Sequence, residues 1–372
     1  MEKKYSERVQ QTIDLLKSAV AEEAKKATPK KQDTSLSKPK WNRMKYEVRG
    51  VDSIQEFNGF KFENLDVDGI SINENVSTNL RIGKYFQNES DNYANVRKNI
   101  LIEKEIKEPV FLTFELDKEN PHLVDVLNIH MKENSSLKLF VMYKGLDEEY
   151  TYHNGYIKVN GEKNSNLDII VIQTLNTNSE NFFGMDIQVM EDATVNYYGV
   201  EFGGHANVTS VNSNLKGFRA KSLLQPIYLS DKNRKTDYEY TLNFDAKECV
   251  ADIDSRGVTK DTAVKVFRGN LVFERFSSKS EGSESEFSIL LDKTVNAHSI
   301  PTLFCDEDDV IGAHSASIGR IDQDKLLYLM SRGFSEKNAK KLVVESSFGP
   351  VFDAIDNEDI VNELKEILES RL

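Results

Sequence analysis

The sequence predicts a mainly β body with helices at both ends, the body being either a β-solenoid of short rungs or a β-sandwich. Three observations carry this. Between about Ile70 and Ile321, short runs rich in Val, Ile, Phe, Tyr and Thr alternate with turn residues. No helical periodicity interrupts those runs, which excludes βαβ units, because parallel strands in an open sheet need helical crossovers. Apolar residues return at helical spacing only before and after the body.

In chain order, Tyr5, Val9, Ile13, Leu16 and Val20 lie at spacings of 4, 4, 3 and 4 and share one stripe of a helix expected over Ser6 to Lys26. Thr28 to Lys40 is Lys, Pro, Ser, Thr and Asp with little to bury, and reads as a linker ending at the single tryptophan, Trp41. Residues 1–45 therefore form an N-terminal helix and basic linker, and 46–321 the β core. Expected strands include Val110 to Leu116, Leu137 to Tyr143, Leu167 to Leu175, Met185 to Met190, Thr194 to Phe202, Tyr238 to Phe244, Ala263 to Phe273 and Phe287 to Leu291. Asn154-Gly155, Asn160-Gly161, Gly203-Gly204 and Gly269-Asn270 are expected at the corners. Blade-length repeats of a propeller are absent.

Residues 322–372 form a helical subdomain. Asp322 caps a helix carrying Leu326, Leu327, Leu329 and Met330, and Gly333 supplies its left-handed C-terminal position. Ser335 caps a second helix with Ala339, Leu342 and Val343, and Asp356 or Asn357 starts a third with Ile360, Leu364, Ile367 and Leu368. These stripes would cover the open end of a solenoid or dock a partner.

Composition narrows the function. The 372 residues, 39% of them hydrophobic, suffice for a folded core and roughly two to three units. Apolar runs stop at five residues, far short of the roughly 20 that span a bilayer. The charged start, Met1-Glu2-Lys3-Lys4, leads into no apolar segment, so a cytoplasmic location is expected. The net charge of −13 leaves an acidic body behind a basic arm, which speaks against nucleic acid or anionic membrane as partner. Cys249 and Cys305 provide neither a disulfide framework nor a structural zinc site.

Phosphate-cradle, dinucleotide, zinc-protease and calcium-loop motifs are absent, so no ATPase activity is expected of this chain. The Asp306, Glu307, Asp308, Asp309 run reads as an exposed turn; its sharper alternative is a set of carboxylates in a β-solenoid carbohydrate enzyme. No two of the six histidines sit at metal-ligand spacing. Cys305, in the strand-like Leu303-Phe304-Cys305 run, is expected as a buried small hydrophobe.

Several ordered segments carry a family resemblance. They are Leu215-Lys216-Gly217, Asp237, Ser255-Arg256-Gly257-Val258, Val266-Phe267-Arg268-Gly269, Leu290-Leu291, Ser299-Ile300-Pro301-Thr302-Leu303, Asp308-Asp309-Val310, Ala313-His314-Ser315-Ala316-Ser317-Ile318-Gly319 and Leu326 to Phe334, followed by Ala339 and Phe348. Together they resemble the SufB/SufD family of the Suf iron–sulfur cluster assembly machinery, well over about residues 190 to 350. Ser315 stands where SufB chains carry a glutamate, and Val295 where they carry a cysteine, so the chain is most like SufD. Gly312 replaces a cysteine found in some SufD chains. The resemblance implies a right-handed parallel β-helix and a non-enzymatic role in a complex of one SufB, one SufD and two SufC ATPases, with a homodimer for the chain alone. It implies that His314 faces SufB where a nascent cluster forms, and that the C-terminal helices, with Arg332 and Gly333 at a helix end, meet SufC. Two cysteines cannot hold a cluster alone, so no cofactor is expected to bind stably; a transient iron–sulfur cluster, and a reduced flavin, belong to the complex. A carbohydrate-active enzyme and a purely structural adaptor are the alternatives.

Overall fold

The computed structural model describes residues 49–65, 67–74 and 84–372. The helix expected over 6–26, the linker and Trp41 lie outside them. In chain order the elements are β1 (Phe60–Glu63), β2 (Ile70–Asn73), α1 (Lys84–Tyr93), β3 (Val96–Ile102), β4 (Val110–Leu116), β5 (His122–Met131), β6 (Ser136–Gly145), β7 (Tyr152–Gly161), β8 (Asn166–Thr174), β9 (Glu180–Val189), β10 (Thr194–Glu201), β11 (Ala206–Leu215) and β12 (Lys221–Ser230). They continue with β13 (Lys235–Phe244), β14 (Val250–Thr259), β15 (Val264–Phe273), β16 (Ser280–Leu290), β17 (Asn296–Cys305), β18 (Val310–Arg320), α2 (Gln323–Ser331), α3 (Glu336–Ile355) and α4 (Glu358–Arg371).

Successive strands alternate between two sheets, β1-β4-β6-β8-β10-β12-β14-β16-β18 and β17-β15-β13-β11-β9-β7-β5-β3-β2. From β3 onward every pairing is parallel, so the chain winds as a β-solenoid of about eight turns. Only the first rung is capped by antiparallel strands, β1 on β4 and β2 on β3.

Period-two alternation sends one set of side chains from each sheet into the lumen. Leu112, Val141 and Val171 from one sheet and Leu127, Ile157 and Met185 from the other belong to a single buried cluster. The strands whose outer faces are also covered read as almost unbroken apolar runs, as in Ile169-Ile170-Val171-Ile172. Phe140, Ile170, Ile172, Val200, Ile227 and Val258 face outward beneath the C-terminal helices. There Phe348 of α3 is fully buried and packs 5.9 Å from the ring of Phe202.

The C-terminal helices therefore lie along the flank of one sheet, where α3 crosses β10, β12 and β14, and do not plug the open end as one sequence reading had them. The reason is the second apolar stripe that those strands present outward. Asp322, Ser335 and Asn357 cap the three helices, as their residue types predict. Arg371 clamps α4 down: its Nε donates to Asp231 Oδ2 at 2.9 Å and its Nη2 to the Leu229 carbonyl at 3.1 Å, while Nη1 reaches the Phe202 carbonyl.

The corners correct the sequence reading. Asn154-Gly155 and Gly269-Asn270 lie inside β7 and β15, and Asn160-Gly161 ends β7; only Gly203-Gly204 turns a corner. One edge is instead turned by a residue in the left-handed region on each rung: Asn134, Asn164, Asp192, Arg219, Glu248 and Lys279, at intervals of 27–31 residues. Their backbone N–H groups ladder onto the next corner, as from Asn164 to the Glu191 carbonyl at 3.1 Å and from Asp192 to the Phe218 carbonyl at 2.9 Å. A regular rung with an irregular corner sequence hides its own period.

Candidate functional site

Among the described residues nothing caps the last rung of the solenoid. The outer edge of β18 carries no further strand of this chain among the described residues, and the same holds for β17. Most of β18 is exposed, with Ile311 63% and, on β17, Phe304 60% accessible. Edges of this length invite pairing with another chain.

His314 sits in the middle of β18, exposed, in register with Glu284 of β16. A Cβ placed on Gly312 would lie 3.0 Å from Leu303 Cδ1 and one on Gly269 2.5 Å from Glu284 Cγ, both across the lumen. Gly312, His314 and Glu284 thus share the lumen-facing phase of their strands. Ser315 falls on the outer phase.

Just beneath the last rung the lumen is charged. Lys265, fully buried, bonds the Glu286 carboxylate and donates to Ser299 Oγ at 3.1 Å and the His298 carbonyl at 3.3 Å. The Tyr228 hydroxyl donates to Glu286 Oε1 at 2.8 Å and meets Ser288 Oγ at 2.9 Å, and Ser299 donates to the other carboxylate oxygen. Burial pulls the Lys265 ammonium below the ordinary lysine range, against the attraction of Glu286. Glu284 is only 2% exposed, yet both of its carboxylate oxygens lack a hydrogen-bond donor. Burial, and next the negative charge of Glu286, push its carboxyl up to about 7, with Lys265 pulling the other way. The side chain lies in the space left by the absent Cβ of Gly269.

A second polar network occupies the lumen nearer the N-terminal rungs. His153 Nε2 meets Asp125 Oδ1 at 2.8 Å, and Asn181 donates to Asn207 Oδ1 at 2.7 Å. Asn207 and Thr209 in turn donate to Glu201 at 2.9 Å each. Every partner in this network is buried and satisfied, which is the signature of structural polar packing.

The other candidate residues separate. Cys305 is exposed, correcting the expectation of burial: it ends an edge strand, so no rung stacks over it. Cys249 is buried. Asp306, Asp308 and Asp309 are exposed in the turn between β17 and β18, and Glu307 accepts from the Phe276 N–H at 3.0 Å. Arg332 caps α2 with its guanidinium 5.2 Å from the Tyr328 ring centroid, and Gly333 holds φ +98. Beside that helix end a groove of ≈ 690 Å³ runs between α2, α3 and the outer face of the solenoid, lined by Phe287, Tyr328, Leu329, Leu342 and Val343 with Arg256 at its edge. Among the described residues no three His, Cys, Asp or Glu side chains are grouped to hold a metal ion, and no helix is long and apolar enough to cross a membrane.

The sequence reading missed Glu284, Glu286 and Lys265. Glu284 and Glu286 stand in a short polar run that reads as solvent-facing, and only the two-residue phase that puts them on the side of Gly282 and Ser288 points inward.

Comparison with known proteins agrees with this architecture. The family model described as "SUF system FeS cluster assembly, SufBD core domain" matches residues 114–347. The chain is similar to the iron-sulfur cluster assembly protein SufD of Bacillus subtilis, 34% identical over 116 residues, which is 31% of this chain and 26% of that protein. It is 23% identical over 249 residues to SufD of Escherichia coli, covering 66% of this chain and 58% of that protein. Against SufD of Plasmodium falciparum it is 26% identical over 249 residues, 65% of this chain and 16% of that protein. The matched segments thus span less than two thirds of these relatives' lengths.

Proposed function

This chain belongs to the SufBD core family of the SUF iron–sulfur cluster assembly system, and we propose that within it the chain is the SufD-like scaffold subunit, without catalytic activity of its own, in the cytoplasm. Its open end pairs with a SufB subunit through β17 and β18, and its C-terminal helices receive a SufC ATPase. The iron–sulfur cluster is cargo formed at the shared interface, where His314 contributes a ligand beside groups of SufB, and any reduced flavin belongs to the assembled complex.

The observation that carries the reading is the uncapped last rung, which offers two strand edges of 10 and 11 residues with His314 at the centre of one. Backbone pairing there would continue both sheets into a second solenoid. Exposed Phe304, Ile311 and Ile318 supply apolar area for the same contact. The groove beside α2, with Arg332 and Gly333 at the helix end, suits a partner helix or loop and supports the SufC assignment.

Co-expression with the SufB and SufC proteins of the same organism, followed by size-exclusion chromatography with light scattering, tests the assembly. One copy of this chain, one SufB and two SufC is the expected product; a chain that remains alone or self-paired refutes it. His314→Ala is expected to preserve the complex and depress cluster formation, and undiminished formation refutes the role of the imidazole.

A further inference from the structure

Among the described residues, Glu284 is the lumen carboxylate near the open end that no donor satisfies and the proposed scaffold role does not use. It is 98% buried, neither oxygen has a donor, and the Cβ-less face of Gly269 opens the space in which it lies. A buried carboxylate without a partner costs several kcal/mol by the transfer scales, so such groups are paired, coordinate metals or take up a proton. The cation of this rung is already committed. Lys265 bonds Glu286, whose two oxygens also accept from Tyr228 and Ser299. Two carboxylates therefore share one ammonium, and Glu284 is the one left without a partner at the mouth of the lumen.

The neighbours of Glu284 restrict what completes it. Ile253 is its register partner on β14, and Gly269 faces it from the opposite sheet. The remaining register neighbour is His314, exposed to solvent and on the same lumen-facing phase. One imidazole and one carboxylate on adjacent strands, open on one side, form a mixed N/O donor set suited to a divalent first-row ion of the manganese(II) or iron(II) type. Such a cation also gives the carboxylate a counter-charge, which a neutral ligand does not.

We propose that Glu284 and His314 form a binding site for a single divalent transition-metal ion at the mouth of the solenoid lumen, with Glu284 the inner ligand beneath the exposed imidazole and the outer coordination positions left to water or to a group on an abutting chain. The site deepens the reading of the open end as the place where cluster components meet. It rests on that reading for the destination of the ion, and on the geometry of this chain for the binding itself.

Titrating the full-length chain, without partners, with Mn²⁺ and following free Mn²⁺ by electron paramagnetic resonance tests it. One ion per chain is expected to bind more tightly than any others. Glu284→Gln and His314→Ala are each expected to weaken that ion about tenfold or more, since even outer-sphere partners of a metal are worth about 10–100-fold. Glu281→Gln, on the exposed outer phase of the same strand, should leave it unchanged. Because Glu284 has no hydrogen-bond partner to lose, Glu284→Gln should melt no lower than the parent chain. Wild-type chain that binds no Mn²⁺, or Glu284→Gln that binds it as tightly as wild type, overturns the site. A protein that binds Mn²⁺ in this pattern yet never associates with SufB keeps the site and removes the scaffold reading; the converse result does the opposite.

Discussion

Gly257→Ala adds one methyl group to the lumen where the Tyr228 ring already fills the space. A Cβ there would lie 1.9 Å from Cζ of Tyr228 and 2.1 and 2.2 Å from its two Cε atoms. Non-bonded carbons rest about 3.5–4.0 Å apart, so the ring must retreat by roughly 1.5 Å. Its surroundings oppose that movement. The hydroxyl is tied to Glu286 at 2.8 Å and Ser288 at 2.9 Å, the Tyr238 ring stands 5.2 Å away, and Lys265 Nζ is 5.5 Å from the ring centroid. Overpacking alone costs about 1–3 kcal/mol. Losing the hydrogen bond to the Glu286 carboxylate adds about 1.5–3 kcal/mol and the one to Ser288 about 0.5–1.5 kcal/mol. We expect a destabilisation of about 3–7.5 kcal/mol, read as a lower midpoint in urea at unchanged slope. Replacing the ring first makes the argument specific: in a Tyr228→Leu background the added methyl should cost less than about 1 kcal/mol, a coupling of about 2 kcal/mol or more. An equal cost in both backgrounds, or a Gly257→Ala chain as stable as its parent, refutes the account of why glycine stands there.

Three further expectations come from other parts of the molecule. Arg371→Ala removes the clamp on Asp231 and the Leu229 carbonyl and should loosen α4 by about 2–3 kcal/mol; amide hydrogen exchange in residues 358–371 should rise while that of the solenoid strands stays fixed. Burial holds the Glu201 carboxyl above its ordinary range, outweighing the bonds from Asn207 and Thr209. The folded state then binds the proton more readily than the unfolded one, so this group favours folding most at low pH, and its contribution is lost as pH rises above the ordinary glutamate value of about 4.3. Glu201→Gln should flatten that part of the urea stability profile, and an unaltered pH slope would contradict the burial argument. Of the two thiols, exposed Cys305 should react with a thiol reagent in the native protein and buried Cys249 only on unfolding, since burial also pushes the Cys249 thiol up; rapid modification of both would show that the rung around Cys249 opens.

Features set by local chemistry were legible in the sequence. Asp322, Ser335 and Asn357 announce helix starts because short polar side chains accept the free N–H groups, and Gly333 announces a stop because its backbone sits at φ +98. The β body was legible for the same reason, since two-residue alternation is a local property. Features set by stacking were not. The left-handed corner residues include Arg219, Glu248 and Lys279, types that no turn rule singles out, and what holds them is the ladder to the next rung. Lys265, flanked by Val264 and Val266, reads as an exposed side chain of an edge strand until β16 brings Glu286 against it. Gly257 stood out only as a member of a resemblance and Gly269 as that and as an expected corner, and their physical reason is room for Tyr228, one rung back, and for Glu284, across the lumen on the next strand. The position of His314 was legible as a motif, but not the carboxylate beneath it.

The two ends of the solenoid differ in a way that limits how far association can run. At the first rung the parallel winding is broken by β1 and β2, four residues each and antiparallel to their neighbours. At the last rung β17 and β18 keep the parallel winding and full length. A solenoid with two equivalent ends would add copies head to tail, and nothing in such a heterologous contact closes it, so the product is a filament. A solenoid with one usable end meets one other such end and stops. Among the described residues the asymmetry leaves one end with full-length parallel edges, and the two four-residue strands at the other, each antiparallel to its neighbour, act as a chain terminator written into the fold.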